Sequence, residues 1–81
     1  MPRKSPFHES HPALSALGTA IRGLRAETGR SQEGLALDAG IDRSYLGGIE
    51  RGEHNLTLVN LLRLSGALGI PASELLRRAG L

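Results

Sequence analysis

The segment from Gln32 to Arg51 constrains the fold of this chain more than any other part of the sequence. Serine and aspartate are preferred helix N-caps, and Ser31 and Asp42 each stand before a short stretch of helical pattern. Gly40 lies between the two stretches, where a tight turn needs a residue that can adopt a positive φ. We therefore predict two short helices that cross at a steep angle.

Small and apolar residues at fixed positions support this interpretation. Ala36 is small at the point where the second helix would cross the first, so the two backbones can approach closely. Each feature alone is weak evidence, but their joint occurrence between two cap signals indicates a helix–turn–helix. The apolar positions expected to hold the pair against the rest of the domain are Leu35, Ile41, Leu46 and Ile49.

The chain is predicted to be helical from Ala13 onward, because apolar residues recur there at spacings of three and four. The fourth helix carries a row of leucines that we expect in the core, and Pro71 is expected to open a fifth. The predicted helices cover residues 13–28, 32–39, 42–51, 58–68 and a short stretch from 71. The core leucines expected on the fourth are Leu58, Leu61, Leu62, Leu64 and Leu68. The predicted fold class is all-α, a compact five-helix bundle.

Composition places this bundle in one small domain of an 81-residue chain without cysteine. Residues 1–12 contain three prolines and two histidines and are expected to form a flexible arm, with the folded domain at 13–81. No apolar run is long enough to span a membrane, and the basic N-terminus lacks the apolar stretch of a secretory signal. A cytoplasmic protein is therefore expected.

The charged and catalytic residue types exclude several functions. The net charge is +2, and nine of the ten basic residues are arginine, which pairs well with phosphate and guanine. No arrangement of nucleophile, base or paired carboxylates indicates an enzyme, and no cofactor is expected. His8 and His11 have a spacing seen in metal sites, but they lie in the expected flexible arm and no thiol partner is present, so we predict no metal.

Three motifs within residues 17–76 resemble the Cro/C1-type, or XRE, helix–turn–helix family. They are SQEGLA, YLGGIERGE and LLRLSGALGI, and they occur in the family's usual order. This family includes phage repressors, controller proteins of restriction–modification systems and small bacterial regulators. The resemblance implies a lambda-repressor-like bundle whose third helix enters the major groove of double-stranded DNA, usually in a dimer on a palindromic operator.

The resemblance also assigns roles to matching positions. Arg43, Ser44 and Tyr45 match base-reading residues, and Gln32 matches a residue that grips a backbone phosphate. Helical geometry agrees for Arg43, which lies on the outward side of the third helix if the core residues face inward. Arg51 and His54 are expected at the DNA backbone, and Arg25 with Glu50 matches a family ion pair.

Gly47 and Gly48 depart from the family pattern, because many relatives carry DNA-contacting side chains there. Helical geometry predicts that both glycines lie on the outward surface. Either readout is concentrated in Arg43–Tyr45, or a smooth helix sits unusually deep in the groove. The same smoothness, with a net charge of only +1 over residues 13–81, leaves a second function open, namely a protein-interaction module such as an antitoxin-like or adaptor subunit.

A homodimer is also predicted from the C-terminal sequence. Several of the last residues are apolar, and so short a chain is not expected to bury all of them internally. The predicted interface consists of Leu75, Leu76, Ala79 and Leu81.

Overall fold

The computed structural model describes residues 11–81, and every regular element in this range is an α-helix. The helices are α1 (Pro12–Glu27), α2 (Gln32–Ala39), α3 (Arg43–Glu50), α4 (Leu58–Leu68) and α5 (Ala72–Arg78). The predicted all-α, five-helix class is confirmed. Within these residues no helix combines the length and the apolar character needed to cross a membrane.

The N-terminal end of α1 differs slightly from the prediction. The helix begins at Pro12, and the Nδ1 atom of His11 accepts a hydrogen bond of 3.0 Å from the amide of Ala13. Proline suits this first position, because the missing N–H would be unpaired there in any helix. The rest of the predicted arm lies outside the described residues.

The turn between α2 and α3 has the predicted form. Gly40 adopts a left-handed conformation with φ 72° and ψ 35°, and the amide of Ile41 bonds to the carbonyl of Ala36 at 3.0 Å. Ser31 caps α2 by accepting a bond from the amide of Gly34. Asp42 stands at the N-cap of α3, although its side chain makes no capping bond. The crossing of the two helices is thus determined largely by local backbone geometry.

Each helix contributes one fully buried side chain to a single core. These are Ile21, Leu35, Leu46, Leu64 and Leu75. The prediction that all the α4 leucines are buried is wrong, because Leu58 is 68% exposed and Leu62 is 52% exposed. The apolar set of α4 is wider than the one face that the helix can turn toward its neighbours.

The backbone of α1 lies so close to the end of α3 that only glycine fits at the points of contact. A Cβ atom added to Gly18 would lie 2.3 Å from the carbonyl oxygen of Ile49 and 2.6 Å from that of Glu50. A Cβ on Gly52 would lie 2.8 Å from the Cα of Ser15. This contact fixes the last turn of α3 against α1, with the first turn of α3 at the opposite end.

Candidate nucleic-acid interface

The first turn of α3 presents polar side chains at the surface. Arg43 and Ser44 are exposed, whereas Leu46 and Ile49 on the same helix are buried against the other helices. The structure therefore anchors one side of α3 and leaves two of the three predicted base-reading residues accessible. A surface helix held in this way can enter the major groove, which is about 12 Å wide in B-form DNA.

Tyr45 is only half-buried and has contacts within the protein. Its hydroxyl accepts a hydrogen bond of 3.1 Å from the Nδ2 atom of Asn60, on α4. Its ring also faces the imidazole of His54, with ring centroids 4.7 Å apart and the planes tilted by 43°. Tyr45 therefore lies at the border between the exposed turn of α3 and the body of the domain.

Gly47 and Gly48 do not form the open surface that helical geometry predicted, because both are buried. A Cβ on Gly48 would lie 2.4 Å from the Nε2 atom of His54. A Cβ on Gly47 would meet the guanidinium of Arg51 at 3.2 Å and the amide of Gln32 at 3.6 Å. The prediction of outward glycines is wrong, since side chains from outside α3 fold across them.

The carboxylate of Glu50 is the centre of a hydrogen-bond network. Arg25 donates two bonds to it, of 2.8 and 3.1 Å, so the predicted ion pair is present with bidentate geometry. The Nε2 atom of Gln32 donates a third bond of 3.0 Å. An amide nitrogen carries two hydrogens, and this bond to Glu50 uses one of them. Glu50 thus orients Gln32 at the N-terminus of α2.

The network also determines how Glu50 titrates. Burial works to raise the pKa of Glu50, but the hydrogen bonds from Arg25 and Gln32 and the positive charges of Arg25 and Arg22 together outweigh it, so the pKa lies below its usual value. Arg22 adds a more distant contact, with its Nε atom 3.6 Å from the carboxylate. The pKa of Arg25 is raised in turn by its bond to Glu50. Both partners are therefore charged at neutral pH.

Arg51 follows α3 and is paired with Glu53 at the surface. Its Nε and Nη2 atoms donate bonds of 2.7 and 3.2 Å to the two carboxylate oxygens. The bond from Arg51 holds the pKa of Glu53 below its usual range. Exposed ion pairs contribute little to stability, so this one can yield to a phosphate at small cost.

The sequence interpretation missed two residues of this surface, Glu53 and Asn60. Glu53 stands two positions after Arg51 in a tight turn, and this alternation of charge could have indicated the pair. No local signal identifies Asn60, because its contact with Tyr45 joins two helices that only the tertiary fold brings together.

Residues 21–75 match the helix–turn–helix family, and this match covers more than half of the chain. The chain therefore belongs to this family, whose XRE-type members are DNA-binding transcriptional regulators. The resemblance seen in the three sequence motifs is confirmed.

Three relatives illustrate this membership. The control protein C.MunI of Mycoplasma sp is 46% identical over 59 residues, which are 72% of this chain and 80% of that protein. The restriction–modification controller protein C.AhdI from Aeromonas hydrophila is 52% identical with a TM-score of 0.75, over 76% of this chain and 94% of that one. SinR, a master regulator for biofilm formation solved in complex with DNA, is 36% identical with a TM-score of 0.70. The match covers 74% of this chain and 97% of SinR.

All three relatives are regulatory proteins by name, and one was solved with DNA. The alternative of a protein-interaction module is therefore not favoured. Its structural motivation is also removed, because the supposed smooth surface at Gly47 and Gly48 is covered by other side chains.

Proposed function

We propose that this protein binds specific sequences in double-stranded DNA, with the first turn of α3 in the major groove. The observation that carries the proposal is the exposure of Arg43 and Ser44 at one end of a helix whose other end is locked against α1. Arg43 is suited to a bidentate contact with guanine, and Ser44 and Tyr45 contact neighbouring bases. The protein acts as a cytoplasmic transcriptional regulator.

Three further residues position the domain on the DNA backbone. Gln32 opens α2, where the positive end of the helix dipole favours a phosphate, and its second amide hydrogen is directed to that phosphate. Arg51 exchanges Glu53 for a second phosphate. The Nε2 edge of His54 faces Gly48, so a phosphate contact by His54 uses the Nδ1 edge.

We propose that a dimer on a palindromic operator pairs mainly through a surface other than the predicted C-terminal one. Leu75 is fully buried and Leu76 and Ala79 pack against the core of their own domain, which leaves Leu81 as the one exposed member of the predicted set. The exposed apolar residues at the start of α4 are Leu58, Val59 and Leu62. We propose that two copies pair through this face of α4, because its exposed apolar side chains would be removed from water on a second copy.

Selection of bound DNA from a random pool tests the proposed function. The wild-type protein is expected to enrich one motif with two related half-sites. Replacing Arg43 by Ala should cost about 1–3 kcal/mol of binding and relax the preference at one base pair in each half-site. The matched control is Arg63→Ala, which removes an exposed arginine from α4 and should leave that preference unchanged.

Two results would contradict the proposal. One is failure to enrich any sequence, with affinity no better than about 10⁻⁴–10⁻⁶ M at physiological salt. The other is equal loss of preference in the Arg43 and Arg63 variants, because the effect would then reflect net charge alone.

A further inference from the structure

The side chain of Tyr45 is restrained at both ends by residues outside α3. Asn60 of α4 donates to its hydroxyl at 3.1 Å, and the imidazole of His54 lies against its ring at a centroid distance of 4.7 Å. A side chain locked by packing and by a supporting hydrogen bond meets its target without first losing conformational freedom. The orientation of Tyr45 therefore depends on residues that are distant from it in sequence.

His54 can occupy this position because residue 48 is glycine. A Cβ atom there would lie 2.4 Å from Nε2 and 2.6 Å from Cδ2 of His54, which is closer than real Cβ contacts allow. Glycine in the middle of a helix is unfavourable relative to alanine, so a glycine at this position needs a packing explanation. The ring of His54 supplies that explanation.

We propose that Gly48, His54 and Asn60 are positioning residues that set the base preference of Tyr45 by fixing the orientation of its ring. This inference rests on the proposed function, in which Tyr45 contacts a base. Gly48 has a part in recognition because its missing side chain leaves room for His54. His54 supports the ring of Tyr45, and Asn60 fixes its hydroxyl.

The first experiment measures Tyr45 in the free protein. The chain contains one tyrosine and no tryptophan, so its intrinsic tyrosine emission reports on this residue alone. Gly48→Ala should displace the His54 ring, and His54→Ala removes it, so both variants should change the emission in the same direction. Gly23→Ala is the control, because Gly23 is a helical glycine with no atoms near its added Cβ.

The second experiment measures base preference with the selected operator and its single-base-pair variants. Gly48→Ala and His54→Ala should each change discrimination at one base pair in each half-site by about fivefold or more, while preferences elsewhere are kept. The double variant should show no larger change than either single one, because both act on the same ring. Thermal unfolding measured in parallel should show that all variants remain folded.

The outcomes separate this inference from the proposed function. Unchanged emission in both variants, or changed emission with unchanged base preference, overturns the positioning role while leaving DNA binding intact. Changed preference in the Gly23 control overturns it as well. If the wild-type protein selects no sequence, the proposed function fails and the specificity role falls with it, even where emission shows that His54 contacts Tyr45.

Discussion

Glu50 is the one charged residue buried within the described part of the chain, and its replacement tests the network around it. Glu50→Gln removes the charge that Arg25 and Gln32 bind, and we expect it to lower the free energy of unfolding at pH 7 by about 3 kcal/mol. Because the folded pKa of Glu50 lies below its usual value, this stabilisation is present above about pH 4.3 and is lost as the pH falls through the folded pKa. The difference in the free energy of unfolding between wild type and Glu50→Gln should therefore become smaller in acid.

Urea unfolding at several pH values between neutrality and strong acid measures that difference. Glu53→Gln is the matched control, since Glu53 is an exposed carboxylate three positions along the chain. The control should unfold near the wild-type midpoint at pH 7. A difference for Glu50→Gln that stays constant down to low pH would show that its charge does not stabilise the fold.

Glu53 has a different role, because it occupies the guanidinium that we assign to a phosphate. Glu53→Gln frees Arg51 and removes a negative charge near DNA, so we expect about two- to fivefold tighter binding. Arg51→Gln should weaken binding and reduce the salt slope by about one. The control is Glu27→Gln, which removes the same charge from the end of α1. Glu27 pairs there with Arg78 at 3.6 Å, so this variant should tighten binding less than Glu53→Gln. Equal tightening in both glutamate variants would contradict the assignment.

The packing of α1 on α3 is decided at Gly18, and two glycines of α1 provide a matched comparison. Gly18→Ala places a Cβ against two backbone carbonyl groups that cannot move independently, so the helices must separate. We expect a loss of about 1–3 kcal/mol in the free energy of unfolding. Gly23→Ala has no nearby atoms and should be neutral or stabilise the helix by up to about 1 kcal/mol. Chemical denaturation that shows equal effects would contradict this account.

The helices themselves could be predicted from the sequence almost to the residue. Their ends depend on local chemistry: Ser31 and Thr57 accept bonds from amides three residues on, and Gly40 and Gly69 take the left-handed conformation. Such signals act within a few residues and need no knowledge of the tertiary fold.

What the sequence could not predict depends on contacts between elements. Helical geometry predicts the α3 glycines at the surface because it does not include the side chains that cover them. Gln32 and Arg51 cover Gly47, and His54 folds back from the following loop over Gly48. The exposure of Leu62 on α4 likewise depends on which neighbours reach that face. At the candidate site, the Arg25–Glu50 contact followed from family resemblance, whereas the support of Tyr45 by Asn60 had no sequence signal.

The surface of the whole domain indicates how two copies can meet. Leu58, Val59 and Leu62 are all more than half exposed and lie within about one turn of α4. Apolar side chains exposed together are typical of an interface, since burying them on a second copy removes them from water. The predicted C-terminal interface retains only Leu81 as an exposed residue, so its contribution to pairing should be smaller.

Substitutions at these positions decide between the two surfaces. Leu62→Glu should shift the protein from dimer to monomer in sedimentation and weaken binding to a full operator by about tenfold or more, while binding to one half-site is kept. Leu81→Glu should have a weaker effect on both measurements. Leu37→Glu is the control, because Leu37 is 80% exposed on α2 and lies outside the proposed interface. A monomeric wild type at high concentration, or dissociation by Leu81→Glu alone, would contradict pairing through α4. Dissociation by all three variants would show that added charge, and not a defined surface, separates the copies.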